Sequence, residues 1–141
     1  MSSLKDTVLA ILEAHREQNI DKILAHHSDT CTWKVLPKSL GQAPLDNTAY
    51  KQMYEAIAPT FRSYQMTVND IFVDEAGRKA TVWMDATAET DAGPYVNEKM
   101  LIFYFDEAGK ISRTAEFIDS AASAAFYAKL QAVIEGKANG I

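Results

Sequence analysis

Three glycine-containing turn motifs divide the second half of the chain at regular intervals. They are DEAGR (74–78), DAGP (91–94) and DEAGK (106–110), and their glycines follow one another every 16 residues. The runs between them, such as KATVWMDATAET and YVNEKMLIFYF, are rich in β-branched and aromatic residues, which favour strands. Short turns between such runs join antiparallel neighbours, so the sequence predicts a meander of about four strands. Strands of this length twist and curve a small sheet.

Two helices are predicted at the start of the chain. Ser3 and Asp6 have the spacing of a capping box, and Asn19 can cap a second, shorter helix. Apolar residues recur at helical spacing after each cap, and the inward stripe of the second helix ends at His27. The inward residues of the two helices are Leu4, Val8, Ile11, Leu12, His15, Ile20, Ile23, Leu24 and His27.

The rest of the chain supplies one more strand, a loop and two longer helices. Alternation predicts a strand over Thr30 to Leu36, and the prolines and glycine of residues 37–44 predict a loop. A third helix opens at Asn47 and ends or kinks at Pro59. A fourth runs from Ser120 to Glu135, where Gly136 should stop it and residues 137–141 should fray. The inner stripe of the third helix is Tyr50, Met53, Tyr54, Ile57 and Phe61.

This order of elements indicates an α+β fold in which helices pack on one face of a curved antiparallel sheet. Such a cone encloses a cavity, where a small ligand would bind. The length of 141 residues favours one domain over residues 1–141.

Composition and motifs narrow the function class. The net charge is −5 with scattered basic residues, which disfavours nucleic-acid binding. Cys31 is the only cysteine, so neither an internal disulfide nor a cysteine metal cluster is expected. No signal peptide or membrane span is apparent, and we expect a cytoplasmic protein with no membrane partner. No phosphate loop, serine elbow or dinucleotide motif is present, so nucleotide-driven chemistry is not expected.

Several stretches resemble one family. WKVLPKSLG, GPYVNEKMLIFYF and GKISRTAEFIDS are similar to the SnoaL-like branch of the nuclear-transport-factor-2-like (NTF2-like) fold. The closest likeness is to fungal isomerases and cyclases of polyketides, including tetrahydroxanthones, and of meroterpenoids. The resemblance covers about residues 3–135. It implies an NTF2-like cone, a cofactor-free acid/base enzyme, a small hydrophobic polyketide or meroterpenoid substrate, and a homodimer.

The sequence predicts how the last two strands pair. If the last turn sets Phe105 opposite Ile111, side-chain alternation divides the two strands into two faces. One face would carry Asn97, Lys99, Leu101, Phe103, Phe117 and Asp119, and the other Glu98, Met100, Tyr104, Glu116 and Ile118. A slip of one residue would exchange the faces of one strand.

Asp119 is the first candidate for catalysis. The resemblance implies an acid/base carboxylate at the end of the last strand, and an apolar cavity would raise the pKa of such a group. The alternative is a helix N-cap, because Asp119 directly precedes the fourth helix. If the faces are reversed, Glu98 and Glu116 become the catalytic carboxylates.

Histidine, lysine and asparagine supply further candidates. His15 or His27 could act as a general base near pH 7, and the alternative is a packing histidine. Neither forms a convincing metal-ligand pattern. Lys99 and Asn97 could hold an enolate oxygen, although Lys99 could instead extend to solvent at a sheet edge.

Aromatic residues could stack on a flat substrate, although most aromatics at such positions simply form the core. The candidates for the cavity wall are Trp33, Tyr50, Tyr54, Trp83 and Phe103. Asp85 is a second candidate for a buried carboxylate, and Cys31 lacks an activating partner.

The sequence therefore favours a cofactor-independent isomerase that moves a proton on a polycyclic polyketide-type ketone by tautomerisation, epimerisation or cyclisation. The alternatives are a non-catalytic ligand-binding or dimerisation module of the same fold, and a dehydratase.

Overall fold

The fold is a curved five-stranded sheet with four helices, seen in a computed structural model that describes residues 3–138. The strands lie in the order β1-β5-β4-β3-β2, which confirms the α+β prediction. The elements are α1 (Leu4–Arg16), α2 (Ile20–Leu24), β1 (His27–Leu36), α3 (Asn47–Ile57), β2 (Arg62–Asp74), β3 (Lys79–Thr90), β4 (Gly93–Phe105), β5 (Ile111–Ile118) and α4 (Ser120–Ala138). Single 3-10 turns occupy Lys38–Leu40 and Ala58–Thr60, the second of them around Pro59.

The predicted meander is confirmed, because β2, β3, β4 and β5 are successive antiparallel neighbours. The three turn motifs lie where these strands join one another, and the first two overlap the strand ends at Asp74 and at Gly93. The strand predicted near Trp33 is β1, which joins the edge of the sheet parallel to β5.

The helix starts follow local capping chemistry. The capping box is present: the Asp6 N–H donates to Ser3 Oγ over 3.1 Å, and the Ser3 N–H donates to Asp6 Oδ2 over 3.3 Å. Asn19 caps α2 by accepting from the Lys22 N–H. The cap of α3 is Asp46, which accepts from the Ala49 N–H over 2.8 Å, because a residue outside the helix must supply the cap.

Two predicted helix ends are wrong. His27 does not continue α2 but opens β1, because β5 captures the chain there: the Ile111 N–H donates to the His26 carbonyl over 2.8 Å. Gly136 does not stop α4, which runs to Ala138. Lys137 Nζ lies 2.6 Å from Asp91 Oδ2 and anchors this last turn. Residues 139–141 of the predicted frayed tail lie outside the described residues.

The register between β4 and β5 also differs from the prediction. Phe105 faces Ile111 as expected, but Tyr104 then faces Arg113, so Ser112 is an extra residue in β5. The Ser112 hydroxyl donates to the Tyr104 carbonyl over 3.1 Å. Such a bulge changes the face of every later side chain in its strand. Glu116 and Ile118 therefore point inward, and Phe117 and Asp119 point outward.

The concave face of the sheet is only partly filled by the core. α1 packs its buried side on β2 and β3. The core side chains there are Val8, Ile11, Leu12, Val82, Met84, Leu101 and Phe103. The rest of the concavity, under α3 and the start of α4, is left open as a cavity.

Candidate functional site

The cavity has a volume of about 500 Å³, within the range that suits a small organic ligand. It lies between the inner face of the sheet and α1, α3 and α4. Its wall is largely apolar and aromatic, and the side chains that could do chemistry in it are His15, Tyr50, Tyr54, Tyr64, Tyr95, Lys99, Glu116 and Tyr127.

An ion pair lies in the wall of this cavity. Lys99 Nζ on β4 is 3.4 Å from Glu116 Oε1 on β5, and the two side chains are only 11% and 19% exposed. Burial has the largest single effect on the Lys99 ammonium and lowers its pKa, but Glu116, Tyr95 and Tyr64 together outweigh burial and hold that pKa above its ordinary value. At neutral pH the lysine is thus a fixed cation beside a carboxylate.

His15 on α1 lines the same cavity. Burial and, next in size, the Lys99 ammonium lower the pKa of His15 to about 3. The imidazole is therefore neutral at pH 7 and can donate or accept a hydrogen bond without carrying charge.

Five tyrosines also line the cavity: Tyr50, Tyr54, Tyr64, Tyr95 and Tyr127. Burial raises the pKa of each, to about 12 for Tyr64 and for Tyr127. Every phenol is thus protonated at neutral pH and can donate a hydrogen bond into the cavity.

Five of the residues predicted from the sequence line the cavity: His15, Trp33, Tyr50, Tyr54 and Lys99. Trp33 and Tyr54 flank Tyr50, with ring centroids 5.4 and 6.0 Å from it. Glu116 also lines the cavity. The sequence made it a catalytic candidate only if the inner and outer faces of the last two strands were exchanged.

Asp119 does not reach the cavity. The Ser112 bulge turns it outward, and its Oδ1 accepts from the Ala122 N–H over 3.1 Å, which is the N-cap alternative. His27 also lies outside the cavity lining. Its Nδ1 is 2.9 Å from Asn47 Oδ1, and burial lowers the pKa of His27 while the Asn47 bond opposes that shift.

Asn97 faces inward, but its side-chain amide is bonded to the backbone of Asp119. Its amide nitrogen donates to the Asp119 carbonyl over 3.2 Å, and its Oδ1 accepts from the Asp119 N–H over 3.1 Å. These two bonds fasten the junction of β5 and α4. Because the residue is only 2% exposed and is not among the residues that line the cavity, its amide is not presented to a ligand.

The other three candidates also lie elsewhere. Phe103 is part of the packed core. Asp85 and Trp83 point to the outer face of the sheet because their parity in β3 is opposite to that of buried Met84. There Asp85 accepts from Asn69, and Trp83 Nε1 donates to Glu98 Oε2 over 2.7 Å.

Three cavity tyrosines escaped the sequence analysis: Tyr64, Tyr95 and Tyr127. Tyr64 lies on β2, whose faces were not assigned from the sequence. Tyr95 has the same parity in β4 as Asn97 and Lys99, so alternation could have placed it on the inner face with them. Tyr127 follows Phe126 on α4, a helix too uniformly apolar for its buried side to be read from spacing.

Within residues 3–138, no group of three or more histidine, cysteine, aspartate or glutamate side chains is placed to hold a metal ion. None of the described helices is long and apolar enough to span a membrane.

Comparison with solved structures finds the same fold. A pinacolase, BvnE of Penicillium brevicompactum, superposes with a TM-score of 0.86 at 26% identity, over 92% of this chain and 91% of that one.

Among curated proteins, core atranone cluster protein 11 of Stachybotrys chlorohalonatus is 40% identical over 93% of this chain and 98% of its own length. A protein named monooxygenase AacuP, from Aspergillus aculeatus, is 31% identical over 83% of this chain and 81% of its own length. The family model for the SnoaL-like domain matches residues 8–114, from α1 through most of the sheet that forms the cavity. With this match, the resemblance inferred from the sequence is confirmed: the chain belongs to the SnoaL-like domain family.

Proposed function

We propose that this protein is a cofactor-independent enzyme that moves a proton next to a carbonyl group of a polycyclic polyketide- or meroterpenoid-type ketone. The observation that carries the proposal is the Lys99–Glu116 ion pair, buried in a tyrosine-lined cavity of about 500 Å³. A carboxylate, an ammonium and several phenols around one apolar space are the groups that enolisation requires.

In the proposed step, the Glu116 carboxylate takes a proton from the carbon beside the carbonyl. The electron pair of that C–H bond moves into the enolate, whose oxygen is stabilised by the Lys99 ammonium and by tyrosine O–H donors. The protonated Glu116 then returns the proton to another carbon or to the other side of the same carbon. The product is a tautomer or an epimer of the substrate, or the precursor of a ring closure.

His15 has a supporting part in this proposal. Because its pKa is lowered to about 3, the imidazole is a poor proton acceptor at neutral pH. We assign it to hydrogen bonding with the substrate, and we assign the proton transfer to Glu116. Asp119 and His27, outside the cavity lining, have no part in the step.

The test is exchange of carbon-bound hydrogen for deuterium in a dearomatised polyketide ketone in D₂O, followed by mass spectrometry. Glu116→Gln should slow exchange by roughly a hundredfold or more, and Lys99→Gln by a similar factor because the enolate loses its cation. The matched control is Glu98→Gln, on the outer face of the same sheet, which should stay within about twofold of the wild type. Full exchange by Glu116→Gln would refute the assignment.

If single variants misfold because one buried charge is left unpaired, the double variant Lys99→Gln/Glu116→Gln restores neutrality and must still lack exchange. The same assay separates the alternatives. A dehydratase removes the mass of one water, and a monooxygenase, the name carried by several relatives, adds that of one oxygen atom. Saturable ligand binding without any turnover would favour a binding module.

Pairing of two copies through the outer face of the sheet is part of the same proposal. Exposed apolar side chains form a stripe across four strands there: Phe72, Trp83, Met100 and Phe117. Acidic Glu98 and Asp119 lie at one end of this face and Arg113 at the other, so two copies in opposite orientation would bring opposite charges together.

Sedimentation equilibrium tests the pairing. A dimer is expected, and Phe117→Glu should give monomers. Leu9→Glu, a matched change at an exposed apolar residue of α1, should leave the dimer intact. A monomeric wild type would refute the pairing and leave the catalytic proposal standing.

A further inference from the structure

The cavity contains more hydrogen-bond donors than the protein itself uses. Among residues 3–138, the hydroxyl groups of Tyr54, Tyr64 and Tyr127 have no hydrogen-bond partner, and all three side chains line the cavity. Because burial keeps these phenols protonated, with the pKa of Tyr64 and of Tyr127 raised to about 12, each holds a donor toward the ligand. Each of these hydroxyl groups can therefore donate to an oxygen atom of a ligand that enters the cavity.

The charge of the cavity is balanced before any ligand enters. Lys99 is the one cation among the described lining residues, and Glu116 already lies 3.4 Å from it. His15 remains neutral at pH 7, since its pKa is about 3. A ligand carrying a carboxylate would therefore enter a site with a carboxylate already next to the only ammonium.

The wall geometry favours a flat ligand. The tyrosines lie on three different elements around the space, namely α3, β2 and α4. Two further aromatic side chains, Trp33 and Tyr50, also line the cavity, with their ring centroids 5.4 Å apart. Aromatic walls of this kind stack on planar ring systems.

We propose that the cavity selects flat, uncharged polycyclic ligands that carry several carbonyl or hydroxyl oxygens, and discriminates against the corresponding free acids. Tyr54, Tyr64 and Tyr127 recognise the oxygens, and Glu116 excludes the acids. The inference deepens the proposed function and rests on it for the identity of the site. It also implies which reaction comes before this one. That reaction must have removed the carboxylate of a polyketide acid by decarboxylation, or converted the carboxylate into an ester or lactone.

Three probes with one ring skeleton test this selection by binding alone. They are 9,10-anthraquinone, which is neutral with two carbonyl oxygens, anthracene, which has none, and anthraquinone-2-carboxylate, which is an anion. Binding is measured from quenching of Trp33 in a Trp83→Phe background, so that the remaining tryptophan lies in the cavity wall.

Anthraquinone should bind about tenfold or more tightly than anthracene, as two satisfied donors would provide. At least two of the variants Tyr54→Phe, Tyr64→Phe and Tyr127→Phe should weaken anthraquinone by about three- to tenfold and leave anthracene unchanged. Equal losses for both probes would overturn the role of the hydroxyl groups.

Anthraquinone-2-carboxylate should bind the wild type about tenfold or more weakly than anthraquinone does. Glu116→Gln should raise the affinity for the carboxylate probe by about the same factor, because the Lys99 ammonium then has no neighbouring carboxylate. The matched control Glu98→Gln, on the outer face of the sheet, should leave the affinities of both probes within about twofold of the wild type. A carboxylate that binds the wild type as tightly as the quinone would overturn the charge selection. None of these probes needs turnover, so this inference and the catalytic proposal can fail separately.

Discussion

The amide of Asn97 gives the sharpest prediction about stability. It is 2% exposed, and it makes two hydrogen bonds to the backbone of Asp119, 22 positions away in the chain. Asn97→Ala removes both bonds. The Asp119 N–H still donates to the Glu98 carbonyl, and the Asp119 carbonyl still accepts from the Ser123 N–H. No backbone group is therefore left without a partner.

The expected loss follows from this count. Two net hydrogen bonds contribute roughly 1 kcal/mol each, and the space left by the amide costs roughly 1 kcal/mol more. The free energy of unfolding should thus fall by about 2–3 kcal/mol. Urea unfolding at one protein concentration measures it, with an unchanged slope as the sign that the same transition is followed.

Asn69→Ala is the matched control. Asn69 is exposed and donates only to Asp85, over 3.2 Å, so its loss should stay within about 0.5 kcal/mol. If Asn97→Ala cost no more than Asn69→Ala, the junction of β5 and α4 would not be held by this amide.

Three further predictions concern single side chains. Thr114 Oγ1 is buried without a partner among the described residues, so Thr114→Val should raise the free energy of unfolding by about 1 kcal/mol. Thr90→Val is the control. It should lower the free energy of unfolding by about 1 kcal/mol, because the Thr90 hydroxyl donates to the Gly93 carbonyl. A loss of stability in Thr114→Val would contradict the first. His15 has a pKa of about 3 in the folded chain against 6.5 ordinarily, so the unfolded chain takes up its proton first and stability falls as the pH drops from 7 toward 3. By pH 5 this loss of unfolding free energy should reach about 2 kcal/mol, and His15→Gln should abolish the loss. Urea titrations at several pH values test this, and an equal pH dependence of the wild type and His15→Gln would contradict the prediction. Asp119→Ala should cost about 1 kcal/mol and Asp119→Asn only a few tenths, as for a helix cap, and both should retain deuterium exchange in D₂O.

The sequence predicted those parts of the fold whose signals are local. The turn motifs predicted the meander, and the Ser3–Asp6 capping box set the start of α1. His27 was misplaced because its conformation depends on a hydrogen bond from Ile111 to the neighbouring His26, far away in the chain. No local pattern records such a contact.

The candidate site was predicted only in part, for the same reason. Trp33, Tyr50, Tyr54, His15 and Lys99 were expected at the cavity, and they line it. The pairing of the last two strands was extrapolated from one turn, whereas the structure has an extra residue at Ser112. Everything beyond that residue was assigned to the wrong face, including the carboxylate that lies beside Lys99.

The bulge at Ser112 has a consequence for comparing members of this family. If substitutions removed the bulge without removing a residue, regular pairing would exchange the interior and exterior of β5 beyond Ser112, bringing Phe117 inside and taking Glu116 out. Two relatives could then align residue by residue and still present different side chains to their ligands. Functional residues in β5 should therefore be transferred between relatives by counting strand parity from the bulge, and gain or loss of this bulge is a short evolutionary route to new chemistry in this cavity.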